Sequence, residues 1–112
     1  MNCIFCKIIS GEIKSDIIYQ DDNMIIIEDI NPEAKKHYLL IPKNHYGLLD
    51  DADKDDFLKL SDSLGKIPSL KKKLGLEKGY RLVINQGKDA GQEVDHLHVH
   101  ILGGQKLNWN PS

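Results

Sequence analysis

The chain is poor in cysteine, with two in 112 residues. That is too few for a disulfide scaffold, and a reducing cytoplasm is the simplest setting for it. It has no excess of basic charge: 15 Lys and Arg face 17 Asp and Glu, a formal charge of −2. Without a basic footprint, nucleic acid is not an expected partner. No run approaches the ~20 apolar residues that span a bilayer, so no membrane partner is expected. The first residues, Met1-Asn2-Cys3-Ile4-Phe5, lack the charged and long apolar regions of a secretory signal. Repeats, low-complexity tracts and Pro/Gly/Ser linkers are also missing, which leaves one domain over 1–112.

What is present fits a globular domain. Hydrophobic residues make up 40% and charged residues 29%, too apolar for disorder. Apolar positions 4, 5, 8 and 9 predict one or two helical turns, stopped by Ser10-Gly11. Strands are predicted at 17–19 and 24–29, joined as a hairpin by Asp21-Asp22-Asn23. A third strand is predicted at 37–42, and its apolar run implies burial on both faces. The five Asp of 50–56 suit a helix N-terminus, and no EF-hand spacing supports a metal there. Phe57, Leu60, Leu64, Ile67, Leu70 and Leu74 then mark one buried helix face. Pro68 predicts a kink or two abutting helices. Lys71-Lys72-Lys73 and Gly75 suit its C-terminal end. Strands at 80–84 and 95–102 flank a turn-rich loop over 85–92. The pattern predicts an α+β domain, an antiparallel sheet with helices on one face.

Three of the five His fall at 96, 98 and 100. On a strand, period two places them on one face and Leu97, Val99 and Ile101 on the other. A row of imidazoles has no packing purpose that Val or Leu would not serve better. Two chemical readings stay open. The row could bind zinc, but His96 and His100 would be ~13 Å apart along a strand, so one ion cannot hold all three. Alternatively the middle His is a nucleophile toward phosphorus, with neighbours that fix its tautomer. The loop with Asn85, Gly87, Gly91 and Gln92 could then present amides to a phosphate.

The run Gly91-Gln92-Glu93-Val94-Asp95-His96-Leu97-His98-Val99-His100-Ile101-Leu102-Gly103-Gly104 resembles the histidine triad (HIT) signature. Cys3-Ile4-Phe5-Cys6-Lys7-Ile8-Ile9 and His37-Tyr38-Leu39-Leu40-Ile41-Pro42-Lys43-Asn44-His45 resemble further family segments. Gly79-Tyr80-Arg81-Leu82-Val83-Ile84-Asn85 and the Trp109 tail resemble the Hint branch. The resemblance implies a five-stranded antiparallel sheet with a long helix and a short N-terminal helix, extended across a homodimer. It implies binding of purine nucleoside monophosphates such as AMP or GMP and hydrolysis of nucleoside phosphoramidates or related nucleotidyl substrates, which with the cysteine usage makes a cytoplasmic hydrolase the expectation.

By position it makes His98 the nucleophile, His100 and Asn85 phosphate contacts, and His96 and His37 members of a supporting cluster. It gives Asp29 the ribose hydroxyls and Ile30 the base. Gly91, Gln92, Glu93 and Val94 border the substrate, and Trp109 reaches the neighbouring subunit's site. Glu93 stands where animal Hint proteins carry a serine, so its N–H, not its carboxylate, is expected to face the phosphate. Rival readings are a nucleotide-binding regulator with little turnover and a zinc-dependent hydrolase using His96 and His98.

Cys3 and Cys6 admit three readings: free thiols, a redox pair, or zinc ligands. No thioredoxin-like pattern surrounds them. With His45 and His96 they would complete a Cys2His2 set, and some bacterial Hint-like proteins look the same at these four positions. A structural zinc is the leading expectation, with no catalytic cofactor.

Overall fold

The computed structural model describes residues 3–108. It contains α1 (Ile4–Ile9), β1 (Ile17–Gln20), β2 (Met24–Glu28), β3 (Lys36–Pro42), α2 (Lys54–Leu74), β4 (Tyr80–Val83) and β5 (Val99–Gly103). The strands form one sheet in the order β1-β2-β3-β5-β4, with every neighbouring pair antiparallel. The architecture is α+β, a five-stranded antiparallel sheet with a long helix. Trp109 lies outside the described residues.

β2 and β3 set the frame. Met24 to Ile27 are all buried, as is β3 from His37 onward. Successive strand residues point to opposite faces, so such strands must be covered on both sides. Met24, Ile26, Tyr38 and Leu40 pack with Leu60, Ile67 and Leu74 of α2. Ile25, Ile27, Leu39 and Ile41 pack with Phe5 and Ile8 of α1. The two helices therefore lie on opposite faces, not on one face as the pattern suggested. α1 has only six residues and cannot cover its whole face. The remainder of that face carries the histidines.

α2 begins with a capping box. The Asp53 carboxylate accepts the Asp56 N–H at 2.8 Å, and the Asp56 carboxylate accepts the Asp53 N–H at 3.1 Å. It ends on Gly75 at φ 70°, a left-handed C-cap that glycine adopts without strain. The helix runs through Pro68 without dividing in two. Pro68 is exposed, so the lost hydrogen bond falls where water can serve the freed carbonyl. The buried face starts at Leu60 and includes Ser63. Phe57, expected in that face, is 47% exposed; Leu49 and Ala52 meet the core from the turn before the helix.

β5 starts at Val99, four residues later than the pattern suggested. Its last pairing with β3 joins Leu40 and Val99. Beyond it, Pro42 has no N–H to extend the ladder, and its carbonyl accepts from the His96 ring at 2.8 Å. The Leu97 N–H goes to the Tyr46 carbonyl at 2.7 Å. Residues 96–99 are consequently all buried, and strand alternation does not describe the first two histidines. At the other end of β5 the chain passes close under Leu76. A Cβ on Gly103 would lie 2.6 Å from its Cδ2 and 3.1 Å from the Gly79 carbonyl oxygen, so any larger residue here needs the buried Leu76 side chain to move.

Candidate active site and metal cluster

The register of the sheet assembles the site. Asp29 follows β2 directly, and its N–H donates to the His37 carbonyl at 3.0 Å. His37 pairs with Leu102 and Leu39 with His100, so His37 and His100 are diagonal neighbours on one face. Val83 of β4 pairs with His100 on the other side, which brings Asn85 to the same region.

Backbone partners fix the tautomers, because a carbonyl can only accept and an N–H can only donate. His98 Nδ1 lies 2.8 Å from the His96 carbonyl. It therefore carries the proton, and Nε2 keeps its lone pair. His37 Nδ1 accepts the Glu33 N–H at 3.0 Å, so the His37 proton sits on Nε2. That proton faces His100 Nδ1 at 2.9 Å and the Asp29 carboxylate at 3.3 Å. His100 in turn holds its proton on Nε2. The His98 and His100 ring centroids are 5.0 Å apart, so an unprotonated Nε2 and an Nε2–H donor are carried on adjacent rings.

Burial and the neighbouring rings of His98 and His37 push His100 down to about 4, against the pull of Asp29. His96 is also lowered, chiefly by burial. Both rings are thus neutral near pH 7. The linkage has a definite sign. Between about 6.5 and about 4 the unfolded chain binds a proton at His100 that the folded chain excludes, so stability rises with pH across that window. Denaturation midpoints should fall as the pH is lowered through it, and fall less steeply in His100→Asn. Equal slopes in the two proteins would remove His100 as the cause.

These histidines open on a cleft of ≈ 540 Å³, also lined by Phe5, Asp29, Asn85, Gly91, Glu93 and Val94, a volume suited to a small ligand. A larger hollow of ≈ 920 Å³ at the C-terminal end of α2 is lined by Lys78, Arg81 and Lys106 among others, with no histidine. The reactive groups converge in the smaller cleft. Of the expected site residues, Asp29, His37, Asn85, Gly91, Glu93, Val94, His98 and His100 line it. His96 stands behind it, fully buried. Ile30 is not in its wall and is 91% exposed.

Gln92 is spent on the loop itself. Its Oε1 accepts the Gly87 N–H, its Nε2 donates to the Gly47 and Val94 carbonyls, and its own N–H goes to the Gly87 carbonyl. Phe5, Asn31, Glu33, Leu39, Val83 and Leu102 also line the cleft and were missed by sequence reasoning; of these Phe5 touches His96 and His98 edge-on. Its position between two expected metal ligands was the available signal.

The second constellation lies behind His98. Cys3 Sγ is 3.3 Å from His96 Nδ1, Cys6 Sγ is 3.2 Å from His45 Nδ1, and the two Nδ1 atoms are 3.1 Å apart. All four donor atoms lie within 4.8 Å of one another. Tetrahedral zinc holds N and S donors roughly 3.3–3.8 Å apart, so the residues fit such an ion. His96 donates its Nε2–H to the Pro42 carbonyl at 2.8 Å, which leaves Nδ1 as the free donor facing the sulfurs. Burial and the adjacent Cys3 push the Cys6 thiol up to about 11, so a cation is needed to hold it as thiolate near neutral pH.

Asp29, His37 and His100 also cluster within 4.8 Å, but there the Glu33 N–H occupies Nδ1 of His37. Its Nε2 therefore carries a proton where a metal would need a lone pair. That group is a hydrogen-bonded relay.

The HIT domain family matches residues 10–107. The chain belongs to the HIT domain family. The HIT domain here is 46% identical over 102 residues to protein HitA of Neisseria gonorrhoeae, covering 91% of this chain and 95% of that one. In structure it is similar to a HIT family hydrolase from Legionella pneumophila, with TM-score 0.90 and 43% identity, covering 99% of this chain and 100% of the other. It is also similar to a Zn-bound histidine triad family protein from Mycobacterium smegmatis, with TM-score 0.82 and 35% identity, covering 100% of this chain and 85% of that one. Among the described residues of this HIT domain, no helix is long and apolar enough to cross a membrane.

Proposed function

We propose that this HIT domain is a cytoplasmic hydrolase of the Hint branch that cleaves purine nucleoside phosphoramidates through a nucleotidyl-histidine on His98. The observation that carries this reading is the pair of tautomers in the cleft. His98 is held by the His96 carbonyl with Nε2 unprotonated, and His100 is held by His37 with its proton on Nε2. One is a nucleophile, the other a donor for a phosphoryl oxygen.

His98 Nε2 attacks the α-phosphorus, and the P–N bond breaks as the nitrogen takes up a proton from solvent, which the attacking water of the second step returns. Water then attacks the same phosphorus, and the P–Nε2 bond breaks to restore His98. Asp29 holds the ribose hydroxyls, Asn85 and the Glu93 N–H meet the phosphate, and Ile30 offers an apolar surface to the purine. The chain acts as a homodimer joined through the β4 edge, where Leu82 is 40% exposed. Trp109 completes the partner's cleft. Zinc is bound by Cys3, Cys6, His45 and His96. Four protein donors leave no open coordination position, so its role is structural.

The cleft wall carries Asp29, Glu33 and Glu93, with no Lys or Arg among its described residues. That balance suits a substrate with a single phosphoryl charge and disfavours polyphosphates. Glu93→Gln should lower KM roughly threefold to tenfold for a phosphoramidate whose amine carries a carboxylate, and leave a neutral amine nearly unaffected. Equal effects on both amines would show that the Glu93 carboxylate is turned away from the leaving group.

The deciding experiment is incubation with an adenosine phosphoramidate, with and without chelator, followed by detection of adenylylated protein and released AMP. Covalent labelling and turnover are expected in both conditions, slower but not abolished after chelation. Binding without turnover would sink the hydrolase reading in favour of a regulatory nucleotide binder. Turnover abolished by chelator with the fold intact would favour a zinc-dependent hydrolase.

A further inference from the structure

We propose that the Cys3, Cys6, His45 and His96 cluster positions the nucleophile, with Phe5 as the positioning residue between the cluster and His98. This rests on His98 being the reactive group. His96 belongs to both constellations. Its Nδ1 faces the two sulfurs, and its carbonyl takes the His98 Nδ1–H. Fixing the His96 ring therefore fixes the acceptor that sets the His98 tautomer.

Phe5 makes the second connection. It sits on α1 between Cys3 and Cys6 and is 6% exposed. Its ring meets His96 edge-on at 5.8 Å and His98 edge-on at 5.1 Å, with interplanar angles of 82° and 75°. The His98 ring is thus confined by a hydrogen bond at one edge and an aromatic edge beside it. α1 is too short to be stable alone. Its N-cap is Cys3, whose Sγ accepts the Cys6 N–H at 3.2 Å. What holds Phe5 against His98 is the apolar contact of α1 with the sheet and the fastening of its two cysteines to His45 and His96. Loosening the fastening lets Phe5 withdraw and the His96 carbonyl turn, and His98 then samples rotamers and tautomers whose Nε2 is not aimed into the cleft. Reaction geometry is steep in such displacements.

The test reads the tautomer directly. In the protein purified with its metal, 15N-edited NMR of the imidazoles at one fixed neutral pH should show His98 as a single Nδ1–H tautomer. After chelation under reducing conditions the His98 signals should report a tautomer mixture. Phe5→Leu, with the metal retained, should shift the same signals and lower kcat about tenfold while KM changes less than about twofold. Circular dichroism monitors folding. If the stripped protein unfolds, the metal-retaining Phe5→Leu protein supplies the same reading alone. A single Nδ1–H tautomer persisting in every folded form would overturn the proposal. Tautomer changes in a wild-type protein that hydrolyses nothing would support positioning and count only against the hydrolase reading.

Discussion

His98→Asn should lower turnover of an adenosine phosphoramidate by roughly 10³-fold or more, with the affinity for AMP changed by less than about threefold. Asparagine keeps a polar side chain of similar reach but has no ring nitrogen to attack phosphorus. The groups proposed to hold the nucleotide stand on other parts of the sheet. Asp29 follows β2, His100 lies on β5, and Asn85 follows β4. Asp29 and His100 have hydrogen-bond partners other than the His98 side chain: Asp29 accepts the Asn31 N–H at 2.8 Å, and His100 is aligned by His37. Binding and chemistry should therefore separate. Rapid-quench measurement of adenylylated protein reads the first step, and calorimetric titration with AMP reads the second quantity. His100→Gln should be milder, about 10²-fold, because it removes a donor to the developing charge and leaves the nucleophile. Turnover above a tenth of wild type in His98→Asn would mean that another group attacks phosphorus.

The separate roles of the three clustered histidines could be read from the sequence only in part. The run His96-Leu97-His98-Val99-His100 announces a row of imidazoles, and period two places them on one face. That holds only from Val99, where the strand begins. What separates His96 from His98 is a pair of backbone carbonyls, on Pro42 and on His96 itself, and no periodicity encodes where a carbonyl will point. The core was far more legible. The strands β2 and β3, the buried run of β3, an Asp-rich helix start and the Gly75 stop follow from local rules, and each is found; which Asp caps the helix was left open. Which face a six-residue helix would take was not legible. α1 is placed by contacts with residues such as Ile25 and Leu39, distant in the chain, and by cysteines whose histidine partner is 93 positions away. The place of Gln92 was not legible for a related reason. A polar residue in a glycine-rich loop can serve a ligand or the loop, and only the closed loop shows all its polar groups already used.

Stripping zinc from the proposed Cys3, Cys6, His45 and His96 site should lower the thermal midpoint by roughly 10 °C, the equivalent of about 2–3 kcal/mol for a chain of this size. The four donors come from three segments far apart in sequence: α1, the stretch after β3 and the stretch before β5. A tie among them closes long loops that the unfolded chain would otherwise leave open, and the unfolded chain offers no preformed site. The loss should be partial. The cluster beneath α2, from Met24 to Ile101, contains neither cysteine nor the α1 residues, so the sheet and the long helix should remain while the α1 face loosens. Far-ultraviolet circular dichroism should change little, and hydrogen exchange should accelerate at 3–9 and 94–98. Cys6→Ser should lose about one equivalent of zinc by elemental analysis and melt near the stripped wild type, since both lack the same tie. A wild-type protein that is purified without zinc, takes none up, and melts identically with and without chelator would show that the four donors are held together by packing alone.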